Sequence, residues 1–80
     1  MKVINIGYNN AIAVEKIVAV IHPDSKPAKR LREQAEREGR LIDATNGRRT
    51  RSIIIMDSNH LILSAINPQT IIQRINETKG

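Results

Sequence analysis

The 80-residue chain contains no cysteine, no tryptophan and no phenylalanine, and Tyr8 is its only aromatic residue. Without cysteine there is neither a disulfide framework nor a thiolate zinc site, and two histidines, His22 and His60, cannot complete a structural metal shell. No metal or other cofactor is expected. Proteins that hold single strands or splayed RNA loops usually stack bases on aromatic rings, so the scarcity of rings disfavours that mode. The four glycines, at positions 7, 39, 47 and 80, are too scattered to form a phosphate-cradling nucleotide loop. No apolar run approaches the ~20 residues that would cross a bilayer. The opening residues Met1-Lys2-Val3-Ile4-Asn5 turn polar too early for a secretion signal, so a cytoplasmic protein with no membrane partner is expected.

Fourteen isoleucines and four valines dominate the apolar set, a β-branched bias that favours sheet. A chain of this length forms one domain over residues 1–80, and a lone core of that size rarely supplies more than ~3–5 kcal/mol. With disulfides and metals set aside, self-association is the expected source of further stability.

Lys2 to Ile6 alternates Val3 and Asn5 against Ile4 and Ile6, predicting a short strand, and Gly7-Tyr8-Asn9-Asn10 is a turn by its Gly and Asn content. Ala11 to Val14 and Ile17 to Ile21 predict two more strands. His22-Pro23 ends the second, because proline has no N–H to donate to a ladder. From Asp24 the period changes: Ala28, Leu31 and Ala35 recur at helical spacing, with Ser25 as N-cap, Pro27 in the first turn and Gly39 past the end. The stripe is thin, so this helix belongs at the periphery. Leu41 to Thr45 predicts a strand, and Asn46-Gly47 predicts a type I′ hairpin leading back through the arginines into Ile53-Ile54-Ile55-Met56. Four consecutive apolar residues leave no polar face, which calls for helices on one side and a second subunit on the other. Asp57-Ser58-Asn59-His60 turns the chain into Leu61 to Ile66, a second hairpin. Asn67-Pro68 then opens a final helix, Asn67 as N-cap and Pro68 at the first position, with Ile71, Ile72 and Ile75 as its stripe, and Glu77 to Gly80 is expected to fray. The fold class is α+β, a mainly antiparallel sheet of about five or six short strands with two helices.

Thirteen basic residues against eight acidic ones give a net charge of +5, which favours polyanionic partners in general terms only. Placement is more informative. Lys29, Arg30, Arg32 and Arg37 are interleaved with Glu33, Glu36 and Glu38, the pattern of a solvated helix face. Arg48, Arg49 and Arg51 instead stand with no acidic residue between Asp43 and Asp57. Catalytic candidates are Ser25, Ser52, Ser58, Ser64, His22, His60, Asp43 and Asp57, and none falls in a recognised catalytic spacing. Ser52 lacks nucleophile-elbow glycines, His60 sits among ordinary turn residues, and His22 reads as a strand terminus. No enzymatic activity is expected. Arginine forks match phosphate geometry and Thr50 adds a hydroxyl, a set suited to a nucleic-acid backbone. If the segment is a strand, Arg49 and Arg51 share one face and Arg48 and Thr50 the other. From the residues alone, a solvated hairpin tip or arginines paired with a neighbouring subunit's Glu residues remain open beside the DNA reading.

The runs Leu41-Ile42-Asp43-Ala44-Thr45, Gly47-Arg48-Arg49-Thr50-Arg51 and Ile54-Ile55-Met56-Asp57-Ser58, with Leu63-Ser64-Ala65, resemble the RemA family of small bacterial regulators of extracellular-matrix genes. Asn5-Ile6-Gly7 and the Pro27 to Arg30 stretch match as well, so the resemblance covers nearly the whole chain. It implies a non-enzymatic, DNA-binding regulator of transcription, acting on matrix and biofilm genes. The fold implied is similar to a LytTR-type domain, assembled as a closed homo-oligomeric ring, a heptamer among the sizes expected. Carried over by position, the DNA-contacting arginines are Arg48 and Arg49, with Arg51 and Thr50 beside them. Lys16 stands where the family usually has arginine, keeping the charge but losing the bidentate fork. Asn46 replaces a common aromatic residue, which strengthens the turn and removes a packing or sugar contact. The expected partners are double-stranded DNA and further copies of the chain, with multivalency raising affinity. The alternative is a structural or adaptor ring whose arginine loop binds a protein or a phosphorylated ligand.

Overall fold

Six strands and two helices form in the computed structural model, which describes residues 1–78. Strands β1 (Val3–Asn5) and β2 (Ala11–Ala13) pair as an antiparallel hairpin, Val3 opposite Ala13 and Asn5 opposite Ala11. Its turn is closed by the Ile6 N–H donating to Asn10 O at 2.8 Å and the Asn10 N–H donating to Gly7 O at 3.0 Å. A single 3-10 turn at Val14–Lys16 leads into β3 (Ile17–Ile21).

The second sheet has the order β3-β5-β6-β4, where β4 is Leu41–Asp43, β5 is Ser52–Met56 and β6 is Leu61–Ser64. Antiparallel pairing predominates, but β4 runs parallel to β6, Leu41 beside Leu61 and Asp43 beside Leu63. The hairpin expected at Asn46-Gly47 is therefore absent. The turn itself forms: Asn46 and Gly47 have φ of 54° and 78°, and the Arg48 N–H donates to Thr45 O at 3.0 Å. The strands it joins are nevertheless not neighbours. Both edges of β5 are taken, by antiparallel pairing with the apolar β3 on one side and with the fully buried β6 on the other. The arginines, moreover, precede β5 in irregular backbone, so strand alternation does not assign their faces.

Alternation along β5 splits the isoleucine run between two layers. Ile53 and the partly buried Ile55 face α1 (Lys26–Arg37) with Leu61, Leu63, Ala28 and Ala35. Ile54 and Met56 face the β1–β2 hairpin and α2 (Pro68–Glu77) with Ile4, Ile6, Ile12 and Ile71. The chain thus covers the run by itself, and the cover expected from a second subunit is not needed there. What stays exposed lies elsewhere: Val18, the bulged residue of β3, at 65%, Ile42 of β4 at 47%, and Ile72 of α2 at 45%.

The first helix is capped as its sequence predicts, the Ala28 N–H donating to Ser25 Oγ at 3.1 Å. It meets the sheet through Ala28 and Ala35 while Leu31 is 40% exposed, so small residues allow the helix to lie close. The second helix starts at Pro68, but Asn67 makes no side-chain capping bond. Its C-terminus is tied where fraying was expected: the Thr78 hydroxyl donates to Ile75 O at 2.7 Å. Residues 79 and 80 of that expected frayed tail lie outside the described residues.

Candidate nucleic-acid interface

Residues 44–51 arch over the C-terminal end of β6, from one of its flanking strands to the other. Both ends hang on that strand: the Ala44 N–H donates to Leu63 O at 2.9 Å and the Arg51 N–H to Ser64 O at 2.8 Å. The first turn of the arch is fixed by Asp43, whose Oδ1 accepts from the Thr45 hydroxyl at 2.6 Å and the Thr45 N–H at 2.8 Å. These bonds, the hydroxyl first, hold the Asp43 carboxyl below its ordinary pKa of 3.8, and Arg32 adds a smaller pull. Thr45 is buried, while Arg48, Arg49 and Arg51 are exposed and Thr50 is half-buried.

Two other segments reach this arch. His22 follows β3, whose last residue Ile21 lies opposite Ile53, so the chain reversal at His22-Pro23-Asp24 falls beside Ser52 and Arg51. Asp24 Oδ2 stands 3.9 Å from Arg49 Nη2 and 3.7 Å from His22 Nδ1. His22, Asp24, Arg49, Thr50, Arg51 and Asn67 enclose a polar cleft of about 100 Å³. That is well below the roughly 300 Å³ at which small-molecule sites begin. On the other flank, Tyr8 lines a groove together with Arg48, Arg49, Arg51 and Ala65. In the sequence Tyr8 reads as a turn residue and the lone aromatic, and His22 as a catalytic candidate better explained as a strand terminus. Their meeting with the arginines depends on strand order, which has no local signal.

Two of the four serines read as catalytic candidates, Ser52 and Ser64, have structural tasks. Ser64 Oγ donates to Ile6 O at 2.8 Å and accepts from the Ile66 N–H at 3.1 Å, and Ser52 Oγ donates to Ile66 O. Both are fully buried; Ser64 pins the start of the β1–β2 turn against the end of β6, and Ser52 ties β5 to the segment that follows β6. Ser58 Oγ lies 2.7 Å from His60 Nδ1 within the β5–β6 turn, an exposed contact between residues two apart.

Lys16 is not brought to the arginines. It pairs with Asp57, Nζ to Oδ2 at 3.8 Å, and the Asp57 N–H donates to its carbonyl at 2.8 Å. That places it at the far end of β5, roughly 16 Å along the strand at ~3.3 Å per residue. Among the described residues Asp24 is the sole carboxylate within 4.0 Å of any of the three loop arginines. No group of acidic and histidine side chains suited to a metal ion occurs among them either. Among the described residues no helix is long and apolar enough to cross a membrane.

The fold and site define a small α+β protein with an exposed arginine loop suspended over the end of its sheet. The chain belongs to the RemA-like family, described as extracellular matrix regulatory protein A-like, whose family model matches residues 3–75. It is similar to a protein of Fervidobacterium nodosum, 60% identical over 75 residues that cover 94% of this chain and 81% of that one. A Thermotoga maritima protein is 58% identical over 74 residues, covering 92% and 80%. One from Thermodesulfovibrio yellowstonii is 55% identical over 74 residues, covering 92% and 87%. All three carry the name "Putative regulatory protein". Family and relatives are named as regulators rather than enzymes, which supports a regulatory role for this chain.

Proposed function

We propose that the chain is a non-enzymatic transcriptional regulator of extracellular-matrix and biofilm genes that binds duplex DNA as a homo-oligomeric ring. The observation that carries the DNA reading is the loop of Arg48, Arg49 and Arg51, exposed, rigidly hung from β6 and opposed at salt-bridge range by Asp24 alone among the described residues. An exposed ion pair of 3.9 Å contributes at most about 1 kcal/mol, so a phosphate displaces Asp24 from Arg49 at little cost. Arg48 and Arg49 grip backbone phosphates, Arg51 and Thr50 add donors beside them, and DNA shape rather than base edges sets preference. Lys16 contributes a separate contact, since roughly 16 Å is about five base pairs of duplex rise. The adaptor alternative, in which the loop takes a phosphorylated ligand, draws on the small polar cleft at Arg49.

Ring assembly has its own support. The two outer strands of the four-stranded sheet, β3 and β4, each carry an exposed apolar residue, Val18 and Ile42. They lie at opposite edges, so contact between copies is head-to-tail, the kind of contact that closes into rings. The four-stranded sheet then serves as the LytTR-type platform that repeats the arginine loop around the ring.

Duplex affinity measured against salt concentration tests the proposal. Wild type is expected to lose affinity steeply as salt rises, with a slope set by the phosphates neutralised. Arg48→Ala and Arg49→Ala are expected to weaken binding at least tenfold and flatten that slope while keeping particle size and melting temperature. Smaller particles in these variants assign the arginines to subunit pairing instead.

A further inference from the structure

The β1–β2 turn and the arginine loop are forty residues apart in sequence, yet Tyr8, Arg48, Arg49 and Arg51 line one groove, with Ala65 between them. Tyr8 is half exposed there and belongs to neither apolar cluster, so core packing does not account for it. It sits at φ 53°, between Gly7 at 107° and Asn9 at 65°. Left-handed backbone is an outlier for a bulky residue, and glycine or asparagine would occupy that position with less strain.

The surroundings enforce this conformation. The Gly7 N–H donates to Asn5 Oδ1 at 2.7 Å, and Asn10 gives both its N–H and its Nδ2 to Gly7 O, at 3.0 and 3.1 Å. Ser64 holds the preceding residue, Ile6, to the strand end that also anchors the arginine loop. Turn and loop therefore hang from the same point, and the backbone that carries Tyr8 is held at the groove it shares with the three arginines. Strained residues that the fold over-determines in this way concentrate at ligand contacts.

Resting on the duplex-binding reading above, we infer that Tyr8 is a further DNA contact. Its hydroxyl donates to a backbone phosphate oxygen, and its ring lies against the adjoining deoxyribose, next to the phosphates held by Arg48 and Arg49. A phenol, with an apolar body and a polar tip, suits that boundary. Being neutral it displaces no counterion, so it adds affinity without adding to the salt dependence.

The test compares wild type, Tyr8→Phe, Tyr8→Ala, Tyr8→Gly and Arg49→Ala for duplex affinity at several salt concentrations, particle size and melting temperature. Tyr8→Phe is expected to weaken binding about threefold, and Tyr8→Ala and Tyr8→Gly about tenfold, all three with the wild-type salt slope. Tyr8→Gly is expected to melt no lower than wild type, since glycine takes positive φ freely. If Tyr8→Ala and Tyr8→Gly bind within twofold of wild type while Arg49→Ala loses affinity, the inference falls and duplex binding stands. A wild-type chain without salt-dependent duplex affinity overturns both. A Tyr8→Gly variant that loses affinity together with melting temperature or size assigns the tyrosine to the fold and overturns the inference.

Discussion

Asp43 is a single exposed carboxylate that sets the start of the arginine loop by accepting both donors of Thr45. Its folded pKa lies below the ordinary 3.8, so between those two values the unfolded chain binds more protons than the folded one. The stability it contributes is fully present above about pH 4 and is lost as pH falls through the lowered folded value. Thermal melts of wild type and Asp43→Asn between pH 7 and pH 3 are expected to converge on the acid side, because the variant has no carboxylate left to protonate. Equal acid sensitivity in the two proteins would remove Asp43 from the account. Gly47 acts on the same turn through backbone alone: its φ of 78° requires a residue without strain there, while a Cβ would meet open space. Gly47→Ala is therefore expected to cost only the left-handed backbone penalty, ~1–2 kcal/mol, with the loop still anchored to β6.

Among the elements, the two helices differ in how their first turns are held. Ser25 accepts the Ala28 N–H, so Ser25→Ala is expected to cost about 1 kcal/mol, or roughly 4–8 °C in melting temperature. Asn67 makes no such bond, and Asn67→Ala is expected to stay within about 0.5 kcal/mol. Matched thermal melts check the contrast, and equal losses would mean that Asn67 caps α2 in solution. Sequence reading had given both residues the same role, since spacing from a proline shows a cap position but not where the side chain turns. The same limit separates what was legible from what was not. The isoleucine run, the α1 cap and the tight turn at Asn46-Gly47 follow from local chemistry and were readable. The parallel pairing of β4 with β6 depends on which edges of β5 and β6 are already occupied, and three residues carry no signal for that. The arginines could be found by counting charges. The placing of Tyr8, His22 and Asp24 near them could not, because Tyr8 is delivered by the end of β1 and His22 and Asp24 by the end of β3.

For the whole molecule, the assembly proposed above turns on the balance of covered and uncovered apolar surface. The isoleucine run, which suggested a subunit interface, is covered within the chain, whereas Val18 and Ile42 face outward from opposite edges. Val18→Asp and Ile42→Asp are each expected to reduce particle size in sedimentation while leaving the monomer folded, since neither residue is in the buried core. Retention of full size in both would move the interface to another surface, with the exposed Ile72 of α2 the next place to look. The suspension of residues 44–51 from adjacent carbonyls of one strand has a different bearing, on how such a protein diversifies. Because the loop begins and ends on the same support, its closure entropy is decoupled from the rest of the fold: two inserted residues cost only about 0.2 kcal/mol. The scaffold can therefore accept a longer or differently charged loop almost without loss, and on the duplex-binding proposal new sequence preferences can arise by exchanging this one cassette while the core is inherited unchanged.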